Sequence, residues 1–288
     1  MSAKLFSKSL SSTDLGGLKS LLEQAIGPVP RNLMRMFMGE VPIGLLSQAH
    51  SNALSKVLHG LHVQRDCLTW DGQLMSADKR SQAIGCAAAA LRVQGLITGW
   101  RNELYSFWGD IAGDPDPGLP EWFRLERAAF RFFGLHSHAV HINGFTPDGH
   151  MWCARRSLTK ATDPGRLDNL AAGGLPVGED LLSCARRELS EEAGIGVNLS
   201  CQLDRVGRVT TARLEPQGWH HETLWVYNLM VPNGVVPQNT DGEVSEFMCL
   251  SPSQVMDRIH GNDFSKDAAC VIATAVLQDQ YFSGTIMS

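Results

Sequence analysis

The chain has 288 residues, of which 43% are hydrophobic and 19% are charged, so it is long enough for about two globular domains with sizeable cores. The formal net charge is −5 and the sequence contains no run of basic residues. Both features argue against a nucleic-acid polymer as a partner.

Cysteine usage and hydropathy bear on the compartment. The seven cysteines occur singly and without a Cys-x-x-Cys pair, which favours a reducing compartment. No apolar run approaches the roughly 18 residues that a membrane span needs. The first ten residues lack the apolar core of a signal peptide, although their serines and lysines leave a transit peptide open. The sequence therefore predicts a cytoplasmic protein without a membrane partner, and it leaves a homodimer open.

The first half of the chain mixes helical patterns with an extended one. In chain order, the pattern predicts helices at 14–26, within 33–61 and at 77–96, a strand at 100–107, a Pro- and Gly-rich loop at 109–120 and a helix from Pro120 to Phe133. We therefore predict a smaller α+β domain over residues 1–133, with a role that the sequence leaves open.

The second half begins near Gly134 and alternates strands with helices. In chain order, it predicts a hairpin of 139–145 and 151–155, a loop with Lys160 and Asp168, a helix at 181–193, strands at 199–211 and 224–231, a turn at 241–244 that enters another strand, and helices at 252–259 and 268–281. This pattern predicts an α/β domain over residues 134–288.

Residues 173–195 organise this second domain. They form a glycine-containing loop and a helix that ends at Gly194, a good residue for a left-handed helix end. Glu188, Glu191 and Glu192 stand three and four residues apart, so their carboxylates crowd one side of the helix and repel one another. The predicted apolar stripe consists of Leu182, Ala185, Leu189 and Ala193. Glu188 and Glu192 lie at its border, while Glu191 lies further round.

Two interpretations of the three glutamates compete. An acidic run is commonly a solvated helix face. The flanking glycines and the border position favour a binding site for a hard cation, because Mg²⁺ takes one or two carboxylates and completes its shell with water and substrate phosphates.

The same stretch resembles the complete Nudix box. The matching pattern is Gly173, five residues, Glu179, seven residues, Arg187-Glu188-Leu189, one residue, Glu191-Glu192, one residue, and Gly194-Ile195. The resemblance implies a Nudix α/β/α sandwich with a mixed sheet. It also implies Mg²⁺- or Mn²⁺-dependent hydrolysis of a nucleoside diphosphate linked to another moiety, or of a related small organic diphosphate.

A weaker resemblance points to one branch of that family, the Nudix domain associated with thiamine pyrophosphokinase. Its marks are Arg155-Arg156-Ser157, Lys160, Pro164-Gly165, Leu167-Asp168, Val226-Tyr227 and Asp241-Gly242-Glu243-Val244. The first half is similar to the uncharacterised domain that precedes this branch, at Trp100-Arg101-Asn102-Glu103 and Glu126-Arg127-Ala128. The branch implies a thiamine-diphosphate-like substrate.

The resemblance also implies roles for the box residues. Glu188 and Glu192 bind metal most directly, Glu191 shares a metal or takes the proton of the attacking water, and the carbonyl of Ala172 or Gly173 completes the site. Such a metal serves as a Lewis acid and as a hydroxide source.

Other residues are assigned around this centre. The planar fork of Arg187 suits paired acceptors, so it orients Glu188 or a neighbouring carboxylate, while Glu179 supports the loop. A later acid, Glu243 or Glu246, serves as base or extra ligand, or is a surface residue.

The predicted substrate contacts lie outside the box. Arg156 and Lys160 are candidates for holding the diphosphate, against the alternative of solvated surface charges. A thiazolium cation favours an aromatic pocket, for which Trp219 and Tyr227 are candidates. The alternative for both aromatic side chains is core packing.

Three other functions compete. Isopentenyl-diphosphate isomerase is similar in its approach to the box, but it carries a cysteine acid/base there and an altered box, whereas this chain has Asp168-Asn169-Leu170-Ala171-Ala172 and an intact box. A non-catalytic Nudix binding module would be favoured by a lost carboxylate, and none is lost. A hydrolase of ADP-ribose, a dinucleotide or a nucleoside triphosphate also fits, because substrate choice depends on loops outside the box.

Overall fold

The structure is a computed structural model, and it describes residues 2–109, 113–160 and 162–281. Its elements up to residue 133 are helix α1 (Ser2–Lys8), α2 (Ser12–Glu23), strand β1 (Leu33–Met38), β2 (Val41–Ser47), α3 (Gln48–Leu54), β3 (Leu61–Val63), β4 (Cys67–Trp70), α4 (Ala77–Val93), β5 (Leu104–Phe107), β6 (Phe123–Glu126) and α5 (Arg127–Phe133).

The first half is built on a small sheet with the strand order β2-β1-β4-β3. Strands β1 and β4 are parallel, and the other two pairings are antiparallel. Strand β5 pairs antiparallel with β6 beside this sheet. A core of methionine, leucine and aromatic side chains, with Trp70 and Phe123 fully buried, joins the strands to α4 and α5. This α+β arrangement agrees with the expected class of the first half.

The residues on either side of Gly39 form the hairpin β1–β2, in which every second side chain of β1 is buried. One prediction for the first half was wrong in detail. The helix expected from Pro120 to Phe133 begins only at Arg127, and β6 precedes it. Phe123 and Leu125 are both buried, at the strand spacing of two residues.

The elements of the second half are β7 (His136–Phe145), β8 (Met151–Arg156), β9 (Leu167–Asp168), β10 (Ala171–Gly174), α6 (Leu181–Ala193), α7 (Val197–Ser200), β11 (Asp204–Glu215), β12 (Gly218–Met230), β13 (Val244–Leu250), α8 (Pro252–His260) and α9 (Lys266–Tyr281). The sheet has the order β11-β12-β7-β8-β13, and β10 pairs with β7 while β9 pairs with β8. Since β12 and β7 are parallel and the other pairings are antiparallel, the sheet is mixed.

The alternation of side chains along the central strands produces three layers. Val140 and Ile142 of β7 face α6, whereas Ala139, which precedes them, faces α9. The same alternation recurs on β12, where Trp225 faces the α6 layer and Leu224 the α9 layer. This packing confirms the expected α/β/α sandwich with a mixed sheet.

The first two helices pack on the second half. Phe6 and Leu18 are fully buried in one cluster with Val276 of α9, and the amide of Gly27 donates to the carbonyl of Ala212 at 2.7 Å. Residues 2–23 therefore pack as part of the sandwich, although they come before the small sheet in the sequence. The domain limits 1–133 and 134–288 stay predictions, and residues 282–288 lie outside the described residues.

Among the described residues, no helix combines the length and hydropathy that crossing a bilayer would require.

Two glycines of the first half test how tightly β2 packs against the end of α5. A Cβ on Gly44 of β2 would overlap the backbone carbonyl of Phe133, whereas a Cβ on Gly85 of α4 would meet no heavy atom within 4 Å. We expect Gly44→Ala to lower the free energy of unfolding by about 1–3 kcal/mol. The matched change Gly85→Ala should raise it by about 0.5–1 kcal/mol, because glycine weakens a helix interior. Urea unfolding of the two variants measures both values, and equal shifts would contradict the packing.

Candidate active site

Helix α6 is delimited by local capping. The side chain of Asp180 accepts a hydrogen bond from the amide of Ser183 at 2.9 Å, and Gly194 adopts the left-handed conformation at φ 64°. The buried face consists of Leu181, Cys184, Ala185, Leu189, Glu192 and Ala193. Leu182, expected in the stripe, is instead 36% exposed, and Leu181 and Cys184 are buried in its place.

The three glutamates differ strongly in exposure. The side chain of Glu192 is 7% exposed and that of Glu188 is 12% exposed, whereas that of Glu191 is 50% exposed. The first two carboxylates therefore lie where the core ends, and Glu191 lies further round the helix. A purely solvated acidic face is inconsistent with these values.

Glu192 is a buried carboxylate with two donors. One oxygen accepts the backbone amide of Ala172 at 2.8 Å, and the other accepts the ammonium of Lys160 at 3.1 Å. Burial raises the pKa of Glu192 to about 7, although the charge of Lys160 works in the opposite direction. The site thus contains a carboxylate that is poised between its two charge states.

Glu188 is held against the glycine end of β10. A Cβ at Gly173 would overlap the Glu188 carboxylate, so only glycine allows this approach. Burial raises the pKa of Glu188, and the neighbouring Arg187 opposes that rise. Gly173 therefore has a steric function in the site.

Arg187 connects three carboxylates. Its Nε donates to both oxygens of Glu179 at 2.9 and 3.1 Å, and its terminal nitrogen Nη1 donates to Glu188 at 2.7 Å and to Glu191 at 3.0 Å. The planar guanidinium can serve all three because its donors point in fixed directions. Arg187 therefore fixes the orientation of Glu179 in the loop and of Glu188 and Glu191 on α6.

A second group of charges meets α6 from the loops after β8 and before β13. The Lys160 ammonium lies between Glu192 and Glu243, and Arg101 of the first half donates to the other oxygen of Glu243 at 3.1 Å. Burial would raise the pKa of Glu243, but the hydrogen bond and charge of Lys160, with Arg101, lower it. Oxygens of Glu192, Asp241 and Glu243 all lie within 4.8 Å of one another.

The donor set fits a hard divalent cation. The available ligand atoms are carboxylate oxygens, which Mg²⁺ and Mn²⁺ prefer. The Lys160 ammonium lies among them and shows that this position stabilises a positive charge. Glu192, Asp241 and Glu243 could therefore hold a metal together, and the role of Glu188 as a metal ligand stays a prediction.

A polar cleft of about 240 Å³ opens beside these groups. Of the predicted site residues, it is lined by Arg156, Lys160, Ala172, Gly173 and Glu243. The Arg156 guanidinium is already hydrogen-bonded within the protein: it donates to Asp168 at 2.6 Å and to the carbonyl of Thr162 at 2.9 Å.

Three predicted residues lie elsewhere. Trp219 and Tyr227 are each 3% exposed and, among the described residues, are not part of the cleft lining. Tyr227 packs in the core beneath α6. Glu246 pairs with Arg155 at 2.8 Å, and it too is absent from the described lining. The geometry favours the core-packing interpretation for the two aromatic side chains.

Several residues of the site were not identified from the sequence. Asp241 lies in a turn that the sequence did mark, and Arg101 lies in a segment that carried a resemblance to a known domain. Neither position has a helical or strand periodicity that would reveal its neighbours. Arg101 comes close to Glu243, and Asp241 close to Glu192, only through tertiary packing.

Comparison with known proteins gives two family matches. Residues 134–269 match the NUDIX domain, and residues 24–137 match a domain of unknown function, DUF4743.

Three curated relatives illustrate the range of similar proteins. The chain is 35% identical over 208 residues to "Nudix hydrolase 24, chloroplastic" of Arabidopsis thaliana, covering 71% of this chain and 55% of the relative. It is 36% identical over 205 residues to "Nudix hydrolase 20, chloroplastic" of the same plant, covering 69% and 52%. It is 28% identical over 153 residues to "Isopentenyl-diphosphate Delta-isomerase" of Rhodobacter capsulatus, covering 50% and 83%. The chain thus spans about half the length of the two plant relatives.

The pKa of Glu192 predicts a pH-dependent stability of the metal-free protein. Its folded-state pKa is about 7 against an ordinary value of 4.5, so the folded chain binds this proton more tightly than the unfolded chain. The stabilising contribution is therefore fully present below about pH 4.5 and is lost as the pH rises through about 7. Glu192→Gln should remove this loss. In EDTA, the free energy of unfolding of the variant relative to wild type should therefore be higher at pH 8 than at about pH 4.5, by up to about 3 kcal/mol.

Urea unfolding at both pH values measures this gain. Glu191→Gln is the matched control, because it removes an exposed carboxylate from the same helix and should leave the pH dependence unchanged. A Glu192→Gln difference that is the same at both pH values would contradict the assignment of the buried acid.

Proposed function

We propose, from the match of residues 134–269 to the NUDIX domain, that the protein is a metal-dependent hydrolase that cleaves a phosphoanhydride bond in a small organic diphosphate. The observation that carries the proposal is the buried pair Glu188 and Glu192, which is held by Gly173, Arg187 and Lys160 beside an open polar cleft. Burying two repelling carboxylates costs free energy unless a cation balances them.

The proposed metal ligands are Glu188 and Glu192, with Asp241 or Glu243 as a further oxygen donor and Mg²⁺ or Mn²⁺ as the ion. Ala172 and Gly173 line the cleft, so a backbone carbonyl of either residue remains a candidate ligand. When bound, the ion supplies Lewis-acid stabilisation of charge on the phosphate oxygens.

The roles of the protein side chains follow from their charges and contacts. Arg187 fixes the orientation of Glu188 and Glu191. Glu243 is a poor proton acceptor because its pKa is lowered, so we assign it to the charge network around Lys160. We assign acceptance of the proton from the attacking water to Glu191, which reaches solvent.

We assign Lys160 to the substrate diphosphate. Its ammonium can exchange carboxylate partners for phosphate oxygens without leaving the cleft, because three rotatable donors sit on a flexible stem. Arg156 lines the same cleft, and its bonds to Asp168 and Thr162 leave it as a fixed positive charge near the substrate.

Two classes of organic group are candidates for the rest of the substrate. A thiamine-diphosphate-like compound is supported by the branch resemblance alone, because Trp219 and Tyr227 are buried in the protein. A sugar- or nucleoside-bearing diphosphate is the second candidate, and it is favoured by hydrogen-bonding groups that line the cleft, among them Ser137, His141, Gln217 and Glu222. ADP-ribose, dinucleotides and nucleoside triphosphates belong to this second class.

We propose a reducing compartment, the cytoplasm, as the site of action. All seven cysteines are free thiols, as such a compartment requires. The plant relatives carry the word chloroplastic in their names, so location is a property to measure for this chain.

A hydrolysis screen tests the proposed function. Purified protein with Mg²⁺ or Mn²⁺ should release phosphate-containing products from at least one member of a panel of thiamine diphosphate analogues, ADP-ribose, dinucleotides and nucleotides. Glu192→Gln should lower kcat/KM at least about a hundredfold, because a metal ligand is lost. EDTA should abolish the reaction.

Glu246→Gln is the matched control for this screen. Its carboxylate is 55% exposed and pairs with Arg155, so its loss should leave kcat/KM close to wild type. Full activity of Glu192→Gln would refute the assigned metal role, and turnover of ADP-ribose ahead of every thiamine compound would refute the thiamine branch.

A further inference from the structure

The cleft has one wall from each half of the chain. Arg101, Tyr105 and Arg127 line it from the first half, opposite Lys160 and Gly173 of the second. All three of the former lie within residues 24–137, the segment that matches a domain of unknown function. The candidate active site is therefore bounded by a domain other than the one that carries its acids.

Arg101 is connected directly to the charge network of the site. It donates to one oxygen of Glu243 at 3.1 Å, while Lys160 binds the other oxygen of the same carboxylate. Two cations from two domains thus share one acid. The Arg101 side chain is 46% exposed, which leaves guanidinium N–H groups open to the cleft.

Tyr105 and Arg127 extend the wall toward the glycines of β10. The Tyr105 ring lies so close to β10 that a Cβ on Gly174 would overlap its hydroxyl oxygen. The guanidinium of Arg127 lies 5.9 Å from the centre of that ring and donates to Glu103 at 2.7 Å. This arrangement keeps a second arginine in the lining of the cleft, to which Gly173 and Gly174 also belong.

Not every cation of the cleft is equally available. Arg131 is paired with Glu215 at 2.8 Å and donates to Thr162, and Arg156 is paired with Asp168; their side chains are 25% and 16% exposed. Arg127 is paired with Glu103, but its side chain is 41% exposed and so keeps donors accessible. Arg101 shares the Glu243 carboxylate with Lys160, so a single acid serves two cations and Arg101 keeps guanidinium donors that Glu243 does not use. These donors can bind an anion in the cleft, because arginine matches phosphate oxygens in a bidentate geometry.

We propose that the first half of the chain forms the anion-binding wall of the active-site cleft, in which Arg101 and Arg127 bind the phosphate of the organic diphosphate that lies farther from the carboxylates of α6. This inference rests on the proposed hydrolase function and deepens it. Arg101 and Arg127 are substrate-binding residues in this scheme, and they take no part in proton transfer. Recognition of a second phosphate by the first half also explains why its arginines face the acids of the second.

The test measures kcat and KM separately in the full chain with Mg²⁺, using thiamine diphosphate and ADP-ribose as substrates. Arg101→Gln and Arg127→Gln should each raise KM roughly tenfold, because a charge-assisted hydrogen bond to phosphate is lost, and should change kcat less. Arg101→Lys should recover part of the loss, since it keeps the charge but not the fork. Arg35→Gln is the matched control, because Arg35 is an exposed arginine on β1 of the same half, and it should match wild type.

A binding measurement separates this inference from the hydrolase proposal. Calorimetry with methylenediphosphonate, a diphosphate that resists hydrolysis, should show a Kd that is roughly tenfold weaker for Arg101→Gln than for wild type. Thermal unfolding of each variant checks that the fold is intact.

The outcomes are distinct. Wild-type hydrolysis with an unchanged KM and Kd in both glutamine variants would overturn the anion-binding wall and leave the hydrolase function standing. A fall in kcat with unchanged KM would also overturn it, because Arg101 would then only position Glu243. A wild-type chain that neither hydrolyses nor binds a diphosphate would overturn both proposals.

Discussion

The structure depends on the burial of two like-charged carboxylates at the edge of a hydrophobic core. Glu188 and Glu192 repel each other, and low-dielectric surroundings strengthen that repulsion. The fold compensates with directed donors: the amide of Ala172, the ammonium of Lys160 and the guanidinium of Arg187. Ala172 and Lys160 lie outside α6, so the carboxylates gain all of their donors only when the sandwich is complete.

The same constraint explains the close packing of α6 on β10. The helix approaches the strand until the Glu188 carboxylate occupies the space where a side chain at position 173 would lie. The amide of Ala172 is available to Glu192 because β10 pairs with β7 along one edge, and the amide donates on the other side. A small distortion of this contact would expose the acids to water and remove the perturbation of their pKa values.

The two halves of the chain are coupled through packing and through charge. Helices α1 and α2 complete the core around α9 before the chain enters the small sheet, so the first half begins and ends against the second. Arg101 then reaches across to Glu243. Because one ion pair is worth little in water, the apolar and backbone contacts hold the halves together, and the charges determine what the cleft between them binds.

The sequence by itself determined the features that depend on short spacing: the limits of α6, the exposure order of its glutamates, the strand alternation of the second half and the box, which lies within the segment that matches the NUDIX domain. Tertiary structure alone decided which distant residues meet, since Asp241 and Arg101 approach the acids through packing that no local period records. It also placed Trp219 and Tyr227 in the protein interior, and it made residues 123–126 a strand. In both cases local propensity is weaker than the free energy of burial against neighbours that are distant in sequence.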